Sequence, residues 1–510
     1  MEITGVTYSV EHYNQFAETG DKNYFEEIID AMILDGISGM NDTFRNAIRG
    51  LSRDKKRMTI LNLLDKDLNL FKQIKALIDK DINKMEHITD ISKMLREYVK
   101  VADTMKRQYG EVMTPTELIK DMLAKLPKSV WSNPNLKWLD ACNGVGPFLC
   151  VVIYGLMKGL RDWEPDDEKR YKHIVENMIY AGELQPKNQF LFLCAVDPFD
   201  KYKLNVYTGS FLEDNFDYHM NNVWNVEKFD IIIGNPPYDK SQKAEGKRGG
   251  GDTLWDKFVI KYLNKTLKEG GYLSLVHPTI WRKPQSERSS SKEVSELMFS
   301  KQILYLEMHN SQDGLKTFNA GTRYDFYVIE NVNLYKKTEI NDEDRTINFV
   351  NLENYKFIPN KQIDFFNKLL ADKDDAKCEV IFNVSNYETR KPYVSDELSE
   401  VYKYKLIHST PKNGPRYKYS SINDKGHFGI KKVIFGDSGI NEAILDFDGE
   451  YGMTQHAMAI KFDNHDEAIK IKNVLESDKF SIFLESVMWS NFQIDWRLFT
   501  HLKKDFYNYF

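Results

Sequence analysis

Proline is missing from the first 114 residues; the first is Pro115. With the strongest helix breaker absent, nothing interrupts the helical period of Leu64, Leu68, Phe71, Ile74, Ile78, Ile82 and Met85. Cysteine is scarce. Cys142, Cys150, Cys194 and Cys378 are the only four, and they never approach the paired spacing of a zinc site or a disulfide framework. They read as reduced, mostly buried thiols of a cytosolic protein. No apolar run approaches the ~20 residues that span a membrane. The opening "MEITGVTYSVEHYNQF" lacks the basic start and apolar centre of a signal peptide, so a soluble, cytoplasmic protein is expected. Basic excess is absent too. A net charge of −6 argues against a chain that coats nucleic acid over its whole surface, though a local basic face remains open.

What is present points to several cores. The chain has 510 residues, 42% apolar and 13% aromatic, enough for two or three domains. Residues 1–108 read as a helical domain. Over 109–335, short apolar runs alternate with helical stretches: "LKWLDA", "MIYAGEL", "LNVYTGSF", "FDIIIGN" and "YLSLVHP" as strands, "PFLCVVIYGLMKGL", "QPKNQFLFLCAV" and "TLWDKFVIKYLNKTLKEGG" as helices. That alternation is the mark of a parallel sheet covered on both faces, an α/β fold whose ligands bind at the carboxyl ends of the strands. Residues 336–510 are turn-rich, with short strands and a more helical tail, an α+β region.

Chemistry-bearing residues fall at strand ends. "LDACNGVGPF" puts Asp140 at the end of one strand, then Gly144 and Gly146 ahead of a helix. Glycines let the backbone approach a ligand, and the helix N-terminus favours negative charge. Glu183 ends the next strand, where an acid commonly accepts both hydroxyls of a ribose. Its distance from the glycines exceeds the ~20 residues of the dinucleotide fingerprint. A nucleoside-bearing ligand follows, either a dinucleotide or S-adenosylmethionine, and the long spacing counts against NAD. "FDIIIGNPPYDK" ends a strand in Asn235, Pro236, Pro237 and Tyr238. The prolines fix the backbone. The Asn235 side-chain oxygen and the Pro236 carbonyl can then converge on a planar amino group with two N–H donors. Preorganised acceptors stabilise the charge that develops on such a nitrogen, and Tyr238 offers a flat face for the ring that bears it.

Together these motifs resemble an N6-adenine DNA methyltransferase of restriction-modification type. The resemblance implies a Rossmann-like S-adenosylmethionine-dependent core, with the helical domain before it and an α+β target-recognition domain after it. "YGEVMTPTELIKDML" resembles the first cofactor motif, and Thr114-Pro115 would lie beside the methionine part of the cofactor. "DACNGVGPFL" resembles D-P-A-C-G-S-G-x-F-L. Asp140 would face the methionine amino group, with Cys142, Gly144, Gly146 and Phe148 completing that cofactor motif. Glu183 matches the ribose-binding acid. "TGSFL" matches the third motif, but Ser210 stands where the family often has Asp, with Phe211 kept. Asn235 closes the cofactor side. In "TFNAGT", Phe318 is a candidate to pack edge-on against the target base opposite Tyr238.

A duplex buries the adenine amino group, so the base must be extruded. Residues 402–432 carry eight Lys or Arg against one acid, Asp424, with Tyr402, Tyr404, Tyr417, Tyr419 and Phe428 interleaved. Basic residues among aromatics suit phosphate contacts and groove insertion, and Lys412, Arg416, Lys418, Lys431 and Lys432 are the expected DNA contacts. Lys247 and Arg248, in the glycine-rich loop after the catalytic motif, are expected beside them. Double-stranded DNA is therefore the expected partner, and a cognate restriction endonuclease a second. Other readings are an RNA- or protein-glutamine-directed amino methyltransferase, the methylating subunit of a multi-subunit complex, a fused nuclease using Pro165-Asp166 with Glu183-Leu184-Gln185, and a non-enzymatic DNA-binding protein.

Overall fold

The isoleucines of "FDIIIG" are β-branched and wholly buried, and they form the middle strand of a sheet. Each such side chain contributes roughly 1.5–3 kcal/mol on leaving water. The computed structural model describes residues 114–184, 186–197, 202–238, 253–285, 289–489 and 494–510. The expected helical domain over 1–108 and the loop carrying Lys247 and Arg248 lie outside the described residues.

The described chain divides into two units. The first runs to Pro278 and resumes over Ser300–Lys336; the second comprises Thr279–Phe299 and Lys337–Phe510. In the first unit, α1 (Thr116–Ala124) precedes β1 (Trp138–Asp140), α2 (Pro147–Gly159), α3 (Asp167–His173) and β2 (Ile179–Glu183). Then come α4 (Pro186–Val196), β3 (Asn205–Thr208), α5 (Asp214–Asn222), β4 (Phe229–Gly234), α6 (Trp255–Lys261) and β5 (Leu267–Pro278). Helix α7 (Lys292–Ser300) lies almost wholly in the second unit. The chain then returns through β6 (Lys301–His309), α8 (Ser311–Phe318) and β7 (Tyr324–Asn333). The sheet runs β3-β2-β1-β4-β5-β7-β6. The first five strands are parallel, and β7 runs antiparallel to both β5 and β6. Strand order reverses between β1 and β4, and the crevice outside their carboxyl ends is where such sheets bind ligands. Helices α1 and α2 pack with the strands into one apolar core through Ile119, Met122, Leu149, Ile153 and Leu156.

Two expectations need correction. The helix expected over 253–271 ends earlier: α6 widens into a π-turn at Tyr262–Thr266, and β5 starts at Leu267. Leu267 pairs with Phe229 and Tyr272 with Ile231, so residues 268–271 bulge outward. Gly270, at φ +73, supplies the left-handed step of that bulge rather than a helix stop. Residues 279–299 also leave the expected continuous catalytic stretch for the second unit. There Arg282 is fully buried and donates to the Ile358 carbonyl.

The second unit is α+β. A hairpin of β8 (Thr338–Asn341) and β9 (Ile347–Val350) leads to α9 (Ile363–Leu369). Two four-stranded sheets follow. One is β10 (Val380–Ile381), β17 (Ala457–Lys461), β14 (Lys432–Gly436) and β15 (Ile444–Asp446), in that spatial order. The other is β11 (Val394–Ser395), β13 (Arg416–Ser420), β12 (Tyr404–Ser409) and β16 (Gly452–Met453). Helices α10 (His465–Leu475) and α11 (Asp478–Ser486) form the helical tail. Among the described residues no helix is long and apolar enough to cross a membrane.

Candidate active site

The turn after β1 is built from its own backbone. The Asn143 N–H donates to the Gly182 carbonyl (2.9 Å) and the Gly146 N–H to the Asn143 carbonyl (2.9 Å). The Gly144 N–H donates to Glu183 Oε2 (2.8 Å), so the loop after β1 is tied to the acid ending β2. The two glycines do different work. A Cβ on Gly144 (φ +55) would meet nothing within 4 Å, whereas one on Gly146 (φ +93) would lie 2.2 Å from the Phe192 ring of α4. Gly144 is the open side of the turn; Gly146 serves helix packing. Phe148 belongs to the hydrophobic core at 3% exposure, so it supports the turn from within. Of the thiols, Cys142 is half-buried, while Cys150 and Cys378 are buried.

Asp140 is 1% exposed. Its Oδ1 accepts from the Cys142 N–H (3.1 Å), and its buried Oδ2 has no hydrogen-bond partner among the described residues. Burial pushes its pKa from 3.8 up to about 7. A buried acceptor beside the open face of Gly144 is a place for a ligand's cationic donor.

Strand β4 delivers the second set of groups to the same place. A Cβ on Gly234 (φ +147) would stand 2.8 Å from Asp140 Oδ1 and 3.4 Å from Cys142 Sγ. Only glycine lets β4 come this close to the end of β1. The next residue, Asn235, donates from Nδ2 to Thr114 Oγ1 (3.0 Å). That bond fixes the amide's orientation and turns Oδ1, its acceptor end, the other way. Thr114 was expected beside the cofactor; its hydroxyl holds the Asn235 amide, a contact no spacing could reveal across 121 residues. Pro115 precedes α1 in extended conformation. Burial pushes the Tyr238 hydroxyl well above its ordinary range, with nearby Tyr324 adding to the effect. Phe318 packs edge-on, but against Tyr324 (4.9 Å, 75°), and it belongs to the core cluster. Tyr324 is thus the aromatic beside Tyr238. His309 stacks flat on Tyr324 at 4.3 Å.

With this geometry in view, relatives can be compared. Residues 68–314 match the family described as Eco57I restriction-modification methylase. That match spans just under half of the chain. An "uncharacterized adenine-specific methylase" of Mycoplasma pneumoniae is 26% identical over 277 aligned residues, covering 40% of this chain and 65% of that protein, just under two thirds of its length. Among solved structures, the Type IIL restriction-modification enzyme MmeI in complex with DNA has a TM-score of 0.45 at 11% identity, covering 80% of this chain and 70% of the other. A nuclease-deletion mutant of the Type ISP enzyme LlaGI with a DNA substrate mimic has a TM-score of 0.46 at 12% identity, covering 96% and 64%.

The loop after β3, expected as the third cofactor motif, is held by a residue that sequence reasoning missed. Glu183 also accepts, through its carbonyl, from the Gly209 N–H (2.9 Å). Ser210 is half-buried; Phe211 is buried among Phe216 (4.8 Å), Phe258 (5.1 Å) and Tyr262 (4.6 Å). Lys261, at the end of α6, donates to the Phe211 carbonyl (2.7 Å) and the Glu213 carbonyl (3.4 Å), and pairs with Asp217 (2.8 Å). The nuclease-like pattern does not assemble: the Asp166 side chain caps α3 by accepting from the Lys169 N–H (2.9 Å).

Of the expected DNA contacts in the second unit, Lys412, Arg416 and Lys431 are exposed. Arg416 opens β13 with Tyr417 beside it, also exposed. Lys418 is paired with Asp396. Lys432 must be reassigned. It is fully buried, pairs with Asp446 (2.5 Å), and donates to the carbonyls of His427 (2.9 Å) and Ile430 (3.1 Å). It clamps the loop between β13 and β14 and cannot reach a phosphate. Two adjacent lysines at a strand start look alike in sequence, but the pleat sends one outward and the other inward.

Proposed function

We propose that the chain transfers a methyl group from S-adenosylmethionine to the amino nitrogen of an adenine in a specific duplex DNA sequence. The observation that carries this reading is the meeting of β1 and β4, where Gly234 brings the Asn235–Tyr238 exit against Asp140. An amino-group acceptor and a buried carboxyl without a partner among the described residues therefore face one crevice.

The residues present fit such a cofactor. Asp140 Oδ2 would accept from the ammonium of its methionine part, the open side of Gly144 would admit it, and Glu183 would hold the ribose. When bound, the cofactor supplies an electrophilic methyl group. The chain supplies orientation. Asn235 Oδ1 and the Pro236 carbonyl would accept the two amino hydrogens and so aim the nitrogen lone pair at the methyl carbon; as the N–C bond forms and the S–C bond breaks, one of those hydrogens would leave as a proton to solvent, while Tyr238 stacks on the purine. Positioning of this kind accounts for much of an enzymatic rate. Extruding the adenine costs a few kcal/mol, partly offset by stacking on Tyr238. Recognition of the duplex falls to the second unit, through Lys412, Arg416 and Lys431 beside Tyr417. In this reading the enzyme works on cytoplasmic DNA, and an endonuclease cutting unmodified sites is its natural companion.

Incubation with methyl-labelled cofactor and adenine-unmethylated DNA, followed by digestion to nucleosides, should place the label in N6-methyl-2′-deoxyadenosine. Label only in cytosine, RNA or protein would overturn the substrate. Asn235→Ala should keep cofactor binding and lose most transfer, by about 100-fold or more if the amide acts as a preorganised acceptor.

A further inference from the structure

Trp255 and His277 form a buried aromatic pair that the proposed chemistry leaves unused. Trp255 is 1% exposed and His277 is wholly buried. Their rings stack at 4.2 Å with 19° between planes. His277 stands near the end of β5, the strand beside β4, and both ring nitrogens are engaged. Nδ1 faces the Pro278 carbonyl (2.9 Å) and Nε2 faces the Tyr327 hydroxyl (2.8 Å). A carbonyl only accepts, so Nδ1 carries the proton, and Nε2 accepts from Tyr327. Burial keeps the ring neutral, with its pKa down to about 3. One tautomer in one plane is the result.

Trp255 starts α6, and the residue before it reaches back to the transfer motif: the Leu254 N–H donates to the Tyr238 carbonyl (3.0 Å). The Thr253 hydroxyl donates to Asp256 Oδ2 (2.9 Å), stiffening the same turn. The Tyr238 backbone is thereby tied to the turn that starts α6.

We propose that His277 is a positioning residue for methyl transfer: it fixes Trp255, Trp255 fixes Leu254, and the Leu254 N–H fixes the Tyr238 carbonyl and so the plane on which the base stacks. This rests on the reading of Asn235–Tyr238 as the transfer site. A platform displaced by an ångström costs about 100-fold in rate, while the Asp140–Glu183 side is untouched. Loss should therefore appear in kcat and not in cofactor affinity.

The test uses the full chain, with adenine-unmethylated DNA and S-adenosylhomocysteine as the binding probe. His277→Phe keeps a ring for the stack and deletes both hydrogen bonds; Tyr327→Phe deletes one of them at nearly constant shape. The expected result is a kcat loss of roughly 10- to 100-fold for His277→Phe and a smaller one for Tyr327→Phe. The Kd for the probe should stay within twofold, in assays run well below each variant's melting midpoint. If His277→Phe does not fold, Tyr327→Phe carries the test alone. Wild-type kcat in the folded variants, or a loss confined to cofactor affinity, overturns the proposal. Full activity of Asn235→Ala would instead overturn the transfer-site reading beneath it.

Discussion

Asp140→Asn should make the ligand-free protein more stable and the cofactor complex weaker, two effects of opposite sign from one atom. Asp140 is 1% exposed, and burial raises its pKa from 3.8 to about 7. A carboxyl with a raised folded-state pKa contributes stability that is fully present below pH 3.8 and is lost as pH rises through about 7. At about 1.4 kcal/mol per pH unit, the full window costs the ligand-free fold on the order of 4 kcal/mol by pH 8. Asparagine carries no charge to bury and keeps an oxygen for the Cys142 N–H. Thermal unfolding of the ligand-free protein at pH 8 should therefore rise on substitution, and the gain should vanish near pH 4. Binding runs the other way. Only the ionised carboxylate can pair with an ammonium group, so wild-type affinity for S-adenosylhomocysteine should fall about tenfold for each unit below pH 7. Asp140→Asn should bind weakly, with no such slope. Calorimetric titration at pH 6, 7 and 8 reads one effect, and scanning calorimetry reads the other. If Asp140→Asn destabilised the ligand-free protein at pH 8, the carboxyl would have a partner and the reasoning would fail. A wild-type affinity flat from pH 6 to 8 would remove Asp140 from the ammonium.

Lys432→Met should destabilise the second unit by roughly 3–5 kcal/mol, since it leaves Asp446 charged and buried. Thermal unfolding checks this, and a neutral outcome would return Lys432 to the surface. Lys261→Met frees the carbonyls of Phe211 and Glu213. It should weaken S-adenosylhomocysteine binding by about tenfold, the worth of one charge-assisted hydrogen bond, with kcat at saturating cofactor nearly unchanged. Lys412→Ala with Arg416→Ala should lower the slope of log affinity for DNA against log salt by about 1.8, two phosphate contacts at about 0.9 each. An unchanged slope would move the phosphate contacts elsewhere.

Strands and glycine turn were legible because local chemistry alone dictates them: β-branched runs buried on both faces, and glycines where φ is positive. "FDIIIG" is a strand for that reason, and "IYAGE" is one with all five residues buried. The contacts that make a site of these elements were not legible, because they join distant residues through atoms that no local pattern marks. Thr114 reaches Asn235 across 121 positions, and His277 reaches Tyr327 across 50. Resemblance placed Thr114 near the cofactor, and it could not say that its hydroxyl sets which end of the Asn235 amide faces the crevice. Lys432 shows the converse limit. Its neighbours in sequence are basic and aromatic, but the partner that decides its role, Asp446, lies on the adjacent strand β15. Charge density along a sequence therefore overstates a nucleic-acid face by whichever residues the pleat turns inward. Helix α6 carries the point furthest. Trp255 at its start braces the Tyr238 exit and Lys261 at its end braces the Phe211 loop. One seven-residue helix thus couples the proposed base platform to the proposed cofactor wall. A substitution that shifts α6 as a body should disturb transfer and cofactor binding together, whereas changes at either end alone should separate them.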